Sequence, residues 1–324
     1  MSNQSAVSEF ILIGFPGLQQ KFHIPVSITM FLVYCVTLLA NSSVLLLILL
    51  KEQLHQPMYI IMRNLALSDL LFDTITLPKI IAKYWSGADS ITFYWCFFQL
   101  FCVHSLGSLD SFIIMLMAID RYVAICKPLR YHSIISNRLV SLLCYFLWLF
   151  AALIGSIPAA IAGQLPYCGP NRVRNCFCVS TAVTVLACVD VTLARRIAFI
   201  SAMCVLLLPL TFIILSYILI IRVIHSSTNN ENSFYFYTCT THLMVIVLYY
   251  IPRVFVYSTS QIPLILDADI NVFLLCLYTF VPHLANPIIY CLRTKEIGNI
   301  FAQSFNNIFL VKCLQTSRTL QRLW

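Results

Sequence analysis

Seven long apolar stretches divide this chain, and they constrain its fold more than any other feature. A helix rises about 1.5 Å per residue, so a run of about 20 apolar residues can cross the hydrocarbon layer of a bilayer. The 324 residues are 60% hydrophobic and only 10% charged, whereas soluble domains carry about 25% charged residues. We therefore predict an all-α membrane protein, a single domain over 1–324 whose spanning helices lie at about 24–50, 58–82, 92–118, 139–162, 197–221, 239–260 and 270–292.

The charged residues indicate how the chain is oriented. Its formal net charge is +8, but the basic residues are spread over the segments between the apolar stretches and do not suggest a nucleic-acid partner. With the N-terminus outside, more Lys and Arg lie on the inner segments, as the positive-inside rule requires. Asn3 begins a glycosylation sequon, Asn3-Gln4-Ser5, which fits that orientation. We expect an extracellular N-terminus and a cytoplasmic tail over 293–324.

Cysteines gather on the outer side of the predicted bundle. Cys168, Cys176, Cys178 and Cys188 lie between the fourth and fifth spans, and Cys96 begins the third. The outer side is oxidising, so disulfides can form there. A zinc site is the alternative, although Cys176 and Cys178 are separated by one residue and zinc ligands usually have two or more between them. We favour disulfides, which leave one thiol over.

Short motifs occur along these spans in a fixed order. They are LHQPMY (54–59), LALSD (65–69), MAIDRYVAICKPLRY (117–131), TCTTHL (238–243) and NPIIY (286–290), together with Ala40-Asn41, Cys96, Trp148, Pro209 and Tyr217. In this order they resemble the rhodopsin-like family of G-protein-coupled receptors and, within it, the olfactory receptors. The resemblance covers about residues 10–312. The short N-terminus and the long, cysteine-rich second outer loop are similar to the class I subset.

The resemblance implies a seven-helix bundle in the plasma membrane, in contact with lipid, with a short amphipathic helix after the seventh span. It implies a receptor and not an enzyme, with no catalytic residue and no resident organic cofactor. Such a receptor binds a small odorant from outside and activates a heterotrimeric G protein of the stimulatory olfactory type, which raises cyclic AMP. The family's loop cysteines imply the disulfides Cys96–Cys178 and Cys168–Cys188, and they leave Cys176 without an assigned role.

The Asp-Arg pair of the MAIDRY string has a role in the family. By resemblance, Asp120 holds Arg121 in the resting state, and Arg121 is released to meet the G protein. A partly buried ion pair is costly to break from one side, so it can act as a latch; the alternative is that Arg121 and Lys127 only anchor the chain at the inner surface. The residues implied in activation and G-protein coupling are Asp120, Arg121, Tyr122, Tyr217, Asn286, Pro287 and Tyr290.

The sequence departs from the family's pattern near the start of the sixth span. The family usually has a Lys a few residues before the TC of TCTTHL, whereas this chain has Phe234. One positive charge facing the G protein is therefore in doubt.

Several ionisable residues lie at membrane depth, where they are costly and generally functional. Asp69 and Asp110 match family positions that hold a sodium ion or a water cluster, and we expect His283 and Asn286 to face the same space. Two acids that share a proton and water, with no ion, are the alternative, and both interpretations stay open. Asp73 is a further acid at membrane depth and a functional candidate on the same ground. We expect no other metal.

A polar face of the third span predicts a ligand cavity. His104, Gly107, Ser108 and Ser111 recur at i, i+3, i+4 and i+7 on one side of a helix. Small residues also let helices pack closely, so helix packing is the alternative. By analogy with the family, whose pocket lies among spans three, five, six and seven, the predicted ligand-binding residues are His104, Gly107, Ser108, Ser111, Ser201, Cys204, Tyr250, Arg253 and Tyr257.

Arg253 is the strongest individual signal, because it lies about 12 Å deep in the sixth span. Tyr250, Arg253 and Tyr257 share a helix face. A guanidinium at that depth needs an acid, a wet cavity or a ligand. Since Arg binds carboxylates through two hydrogen bonds, we favour an anionic odorant such as a carboxylate. An internal ion pair with Asp110 is the alternative.

Other functions of a helical membrane protein fit less well. Transporters tend to have paired repeats and broken helices, and neither is visible. A retinal-binding photoreceptor would need a Lys in the seventh span for a Schiff base, but residues 270–292 contain none. An amine receptor would need an acid near His104, and none is there. The nearest alternative is a non-olfactory rhodopsin-like receptor for another small ligand, such as an anion.

Overall fold

Seven long helices run through the part of the chain that the structure describes. A computed structural model describes residues 7–226, 232–259 and 268–293, without the side chains at 226, 232–242, 245, 259, 268 and 288–293. We label the helices α1 to α7 in chain order. They are His23–Leu50, Pro57–Ser86, Phe93–Cys126, Asn137–Gly163, Thr192–Ser226, Asn232–Thr259 and Ala268–Arg293.

These helices extend past the predicted spans. α3 continues to Cys126 and α5 covers Thr192–Ser226, whereas the predicted spans end at 118 and cover 197–221. Apolar length measures only the part of a helix that lies in hydrocarbon, while helical hydrogen bonds can continue into the headgroup region and water. Beyond 293 the chain is outside the described residues, and so is the amphipathic helix that we predicted there.

Five helices in the described ranges are long and apolar enough to cross a membrane. They cover Gln20–Leu50, Phe93–Cys126, Asn137–Gly163, Thr192–His225 and Asp269–Pro287, and a shorter apolar helix covers Ile246–Ser258. Large apolar side chains such as Leu39 and Leu153 are about two-thirds exposed on the outside of the bundle, where lipid would cover them. The predicted all-α membrane fold is confirmed.

Local sequence signals explain both ends of α2 and the beginning of α4. α2 begins with Pro57, whose missing N–H is unneeded in a first turn. After its last residue, Ser86, the helix is capped by Gly87, which has φ 74° and donates its N–H to the Lys83 carbonyl. This left-handed conformation favours glycine. The side chain of Ser136 accepts the Leu139 N–H at 3.2 Å and caps α4.

α3 is the central helix of the bundle. It packs against α2, α4 and α5, while α1 packs against α2 and α7. Its residues from Ser108 to Ile114 are all buried, so a polar group in this stretch must find its partner within the protein. This position brings the functional residues of α3 against those of α2, α6 and α7.

The end of the bundle that carries the N-terminus, which we call the outer end, has a three-stranded sheet that was not predicted. We call the opposite end the inner end. The strands of the sheet are β1 (Glu9–Leu12), β2 (Ser90–Thr92) and β3 (Arg172–Val173) in the order β2-β1-β3. β1 is antiparallel to β2 and parallel to β3. Each strand is too short to give a clear alternating pattern, so the pairing depends on the bundle that brings the loops together.

Two disulfides fix the long loop between α4 and α5. Cys96, in the first turn of α3, is bonded to Cys178, and Cys168 is bonded to Cys188. These are the pairs that the family resemblance implied. Cys176 is a buried free thiol. The loop also contains short helices and turns, as do the other connections: Gln20–Phe22, Glu52–Leu54, Pro128–Arg130, Tyr131–Ile134, Ser180–Val183 and Thr184–Leu186.

Candidate ligand cavity and activation sites

A cavity of about 860 Å³ lies among the outer halves of the helices and beneath the long loop. This volume is within the usual range for small-molecule sites, about 300–1,000 Å³. The predicted residues on its wall are His104, Gly107 and Ser108 of α3, Ser201 of α5, and Arg253 and Tyr257 of α6. The loop adds lining residues that helix periodicity could not predict, among them Arg172, Phe177 and Ser180.

Three predicted ligand-binding residues lie away from the wall of this cavity. Ser111 and Tyr250 pair through their hydroxyl groups at 2.9 Å, and the Ser111 hydroxyl also lies 2.9 Å from the Val205 carbonyl, where α3, α5 and α6 meet. Both residues are buried there. Cys204 is exposed on the outside of α5. Ser111 thus lies in a contact between helices, as the alternative interpretation of the small-residue face expects.

His104 joins α3 to the long loop. Its Nε2 accepts the backbone N–H of Ser180 at 3.3 Å. A neutral imidazole that accepts at Nε2 carries its proton on Nδ1, so Nδ1 is the ring nitrogen left to donate a hydrogen bond. The Ser108 hydroxyl donates to the His104 carbonyl at 2.7 Å, which turns that side chain back along its own helix.

Arg253 is buried among tyrosines and not beside an acid. Its Nη1 donates to the Tyr249 hydroxyl at 2.5 Å, and its guanidinium carbon lies 3.8 Å from the Tyr249 ring centroid and 5.5 Å from that of Tyr278. Its Nε makes no hydrogen bond, and Arg253 has no salt bridge within the described residues. The predicted alternative, an ion pair with Asp110, is therefore not formed.

The cavity wall is positively charged. Three exposed arginines, Arg172, Arg174 and Arg195, lie on its outer side, and the buried Arg253 lies deeper. No Asp or Glu lines the cavity in the part of the chain that the structure describes. Because field lines concentrate in a cavity with low-dielectric walls, this arrangement attracts anions.

Acidic side chains gather deeper in the bundle, around His283 of α7. The predicted cluster residues meet there: Asn286 donates to Asp69 Oδ2 at 2.9 Å, and His283 Nε2 lies 3.5 Å from Asp69 Oδ1 and 3.7 Å from Asp110 Oδ2. Asp73 joins them, since its Oδ1 lies 2.7 Å from His283 Nδ1. An acid at membrane depth was the sequence signal that marked Asp73, and it did not indicate this partner.

The Asp-Arg pair lies at the inner end of α3. Arg121 Nε is 3.6 Å from Asp120 Oδ2, and the Tyr131 hydroxyl donates to Asp120 Oδ1 at 2.8 Å. Burial raises the pKa of Tyr131, and the neighbouring Asp120 carboxylate raises it further, so the phenol stays protonated as a donor. Sequence reasoning included Tyr131 in the MAIDRYVAICKPLRY string but assigned it no role.

The other residues predicted for activation are spread over three helices. Tyr122 is half-buried on α3, and Tyr217 of α5 and Asn286 of α7 are buried. Pro287 lies inside α7. The Tyr290 side chain, Asn3 with its sequon, and the Phe234 side chain lie outside the described residues.

Comparison with known proteins decides the family. The sequence model of the family described as "Olfactory receptor" matches residues 30–307. The chain is 36% identical over 310 residues to Olfactory receptor 56B34 of Mus musculus, covering 94% of this chain and 95% of that protein. It is 34% identical over 306 residues to Olfactory receptor 2M2 of Homo sapiens, covering 92% and 86%. The chain belongs to the olfactory receptor family.

As an olfactory receptor, the chain is an odorant-sensing G-protein-coupled receptor in a membrane and not an enzyme. The cavity among the outer halves of its helices is the candidate odorant site. The Asp120–Arg121 pair at the inner end of α3 is the candidate latch of this olfactory receptor.

Proposed function

We propose that this olfactory receptor binds a small organic acid in the outer cavity and, from the plasma membrane, activates the stimulatory olfactory-type G protein, which raises cyclic AMP. Its N-terminus is extracellular and carries a glycan on Asn3. The observation that supports the ligand class is Arg253, a buried arginine with no acidic partner in the described ranges, on a cavity wall that carries four arginines and no acid.

The surroundings of Arg253 suit a carboxylate. Stacking on the Tyr249 ring stabilises the guanidinium by a cation–π interaction worth about 2 kcal/mol when it is desolvated. This does not satisfy the Nε–H, which has no hydrogen-bond partner. A carboxylate can accept from Nε–H and a terminal N–H of a guanidinium together. The ligand would thus supply the acceptor that the protein lacks at this position.

The rest of the cavity suits a short apolar body. Beyond the charged groups its wall is aliphatic and aromatic, with Val103, Ile154, Phe199, Val205, Leu206 and Val256 among its residues. Burying apolar ligand surface contributes about 25 cal/mol per Å². We therefore expect short-chain aliphatic or aryl carboxylic acids as the best ligands.

A contact between α6 and α3 offers a route from the ligand to the rest of the receptor. The Tyr249 hydroxyl accepts from Arg253 and donates to the Gly107 carbonyl of α3 at 2.6 Å. A carboxylate that binds Arg253 competes with the Tyr249 hydroxyl for the hydrogen bond that the guanidinium donates. Ligand binding would then favour one arrangement of α6 against α3, and α3 carries Asp120 and Arg121 at its inner end.

Dose–response curves with matched acid, ester and alcohol odorants test the ligand class. Arg253→Gln should shift the effective concentration of the acid by about tenfold to a hundredfold, because losing a charge-assisted hydrogen bond removes about 1.5–3 kcal/mol. The ester and alcohol should shift much less. Cyclic AMP is measured in transfected cells and corrected for surface expression.

Arg196→Gln is the matched control. Arg196 is exposed and follows Arg195 in α5, but it does not line the cavity, so its removal changes the same net charge without touching the ligand. Equal losses for acid, ester and alcohol in Arg253→Gln would contradict the anion proposal. Cells without the stimulatory olfactory G protein should give no cyclic AMP response, and an undiminished response there would contradict the proposed coupling.

The orientation has its own test. Asn3→Gln should lower the mass of the surface-labelled receptor by the mass of a glycan, and glycosidase treatment of the unmodified receptor should produce the same change. An N-terminal epitope tag should be stained on intact cells. Staining that requires permeabilised cells would contradict an extracellular N-terminus.

A further inference from the structure

Three polar atoms face one another in the core beneath the cavity. Asp69 Oδ1, Asp110 Oδ2 and His283 Nε2 are buried and make no hydrogen bond within the described residues. Nε2 lies 3.5 Å and 3.7 Å from the two oxygens, and all three atoms lie within 4.8 Å of one another. These separations are too long for good hydrogen bonds. With His283 neutral and unprotonated at Nε2, all three atoms are acceptors, and acceptors so deeply buried are costly without a donor or a cation. The geometry therefore implies a group among them.

The other atom of each side chain is already occupied. Asn286 donates to Asp69 Oδ2 at 2.9 Å, Ser68 donates to Asp110 Oδ1 at 2.6 Å, and His283 Nδ1 lies 2.7 Å from Asp73 Oδ1. A carboxylate can only accept, so Nδ1 donates its proton to Asp73. This carboxylate–histidine contact is the usual outer shell of a metal-bound histidine, and it directs the Nε2 lone pair at the metal.

The donor set favours a transition metal. Ligands about 2.0–2.2 Å from a tetrahedral zinc ion are separated from one another by about 3.3–3.6 Å, close to the observed separations of 3.5 Å and 3.7 Å. Hard cations prefer ligands that are all oxygen, whereas imidazole suits zinc, copper, iron and nickel. The sodium ion that the family resemblance implied therefore fits this nitrogen-containing set poorly.

We propose that Asp69, Asp110 and His283 bind a divalent transition-metal ion, foremost zinc, which joins α2, α3 and α7. A doubly charged ion balances the two ligating carboxylates, and a water molecule could complete the tetrahedron. The cavity offers an entry path, because Phe72 and Thr279 line it. Phe72 lies against the His283 ring, and Thr279 is one turn above it.

Metal analysis of the purified full-length receptor tests the proposal without any odorant. The receptor in lipid nanodiscs is stripped with a chelator, incubated with zinc and freed of excess metal. We expect a single tightly bound zinc ion per receptor by elemental analysis. We also expect a higher midpoint of thermal unfolding with zinc than with chelator, because an ion that binds only the folded state stabilises it. Sodium chloride alone should not reproduce this rise.

Two variants separate this site from other zinc-binding groups. His283→Asn removes the nitrogen ligand and should lose both the ion and the thermal shift. His132→Asn is the matched control, since His132 is exposed and distant from the cluster in the chain, and it should keep both. Zinc retained in His283→Asn, or sodium that stabilises the receptor as well as zinc does, would overturn the proposal.

Asp73→Asn keeps all three ligands and is decisive if His283→Asn does not fold. Loss of the outer-shell carboxylate should weaken zinc affinity by about ten- to a hundredfold. Cobalt in place of zinc should give the visible absorption bands of a tetrahedral nitrogen and oxygen site, and these bands should weaken in Asp73→Asn at limiting cobalt. Unchanged affinity in Asp73→Asn, or octahedral cobalt bands, would also overturn the proposal.

Discussion

The outer cavity and the acid cluster lie on adjacent turns of the same helices, but they carry opposite charges. The cavity wall has four arginines and, in the described residues, no Asp or Glu. The cluster below it has three aspartates around a single histidine. Each region holds a charge that the protein leaves incompletely compensated. Each therefore suits a partner from outside the chain: an anion above and a metal cation below.

Helix geometry allows this change of chemistry over a short distance. On α3, Ser108 lines the cavity and Asp110 belongs to the cluster, although only one residue separates them. Successive residues of an α-helix are about 100° apart around its axis, so Asp110 faces α2 and α7 where Ser108 faces the cavity. On α7, one turn separates Thr279 from His283. Adjacent positions can thus serve different ligands.

The largest effect should come from the inner latch, on which the response to every odorant depends. Arg121→Ala should leave surface expression largely intact but abolish the cyclic AMP response to every odorant, because Arg121 is the group that we propose meets the G protein. Its zinc content should stay unchanged. Cyclic AMP assays on transfected cells check the signalling, and metal analysis of the purified variant checks its zinc content. Normal signalling by Arg121→Ala would refute the latch.

Weakening the latch should have the opposite effect and raise signalling. Asp120→Asn removes the charge that faces Arg121, and Tyr131→Phe removes only the 2.8 Å hydrogen bond to Asp120. Both should raise basal cyclic AMP, with the smaller rise in Tyr131→Phe. Basal levels at equal surface expression provide the measurement, and a fall in either variant would contradict the role of the pair.

Reversing the charge at Arg253 is the most direct way to break the contrast between the regions. Arg253→Glu would give the cavity an acid, as the cluster has. Carboxylic acids should lose more than about a hundredfold in potency, since repulsion adds to the lost charge-assisted bond. Primary amines of equal chain length should gain activity. Dose–response curves for both classes decide, and an unchanged preference for acids would show that Arg253 does not contact the ligand.

A smaller change in the cluster tests whether the two regions are separate. Ser68→Ala removes the 2.6 Å hydrogen bond to Asp110. If the proposed zinc site is correct, zinc affinity should fall by about tenfold, as for other outer-shell residues. The potency ratio of acid to alcohol should stay the same, because Ser68 does not line the cavity. A changed ratio would mean that the cluster and the cavity act as one site.

The smallest effect should come from the outer arginines. Arg195 is exposed, and exposed ion pairs contribute about 0–1 kcal/mol. Arg195→Gln should therefore reduce the potency of acids by at most about fivefold, and added salt should remove the difference because it screens exposed charges. A loss as large as that of Arg253→Gln, persisting in high salt, would place the ligand's carboxylate at the outer side of the cavity.

The sequence alone determined the number and approximate positions of the helices, the family and most of the candidate residues. Apolar length predicts a membrane span because unpaired backbone groups cannot be exposed to lipid. The motifs on those spans were enough to mark Asp120 and Arg121 as a candidate latch and to imply both disulfides of the long loop. Burial of Asp69, Asp110 and His283 also followed, since charged residues at membrane depth face the bundle interior.

Only the tertiary structure decided which side chains meet. Helix periodicity gives the angle between residues on one helix but not the rotation of that helix against its neighbours. This is why Ser111 and Tyr250 pack against each other while Tyr249 and Tyr278 surround Arg253. The contact between Asp73 and His283 joins residues 210 positions apart in the chain. The packing of α2 against α7 creates it, and no local pattern encodes such packing.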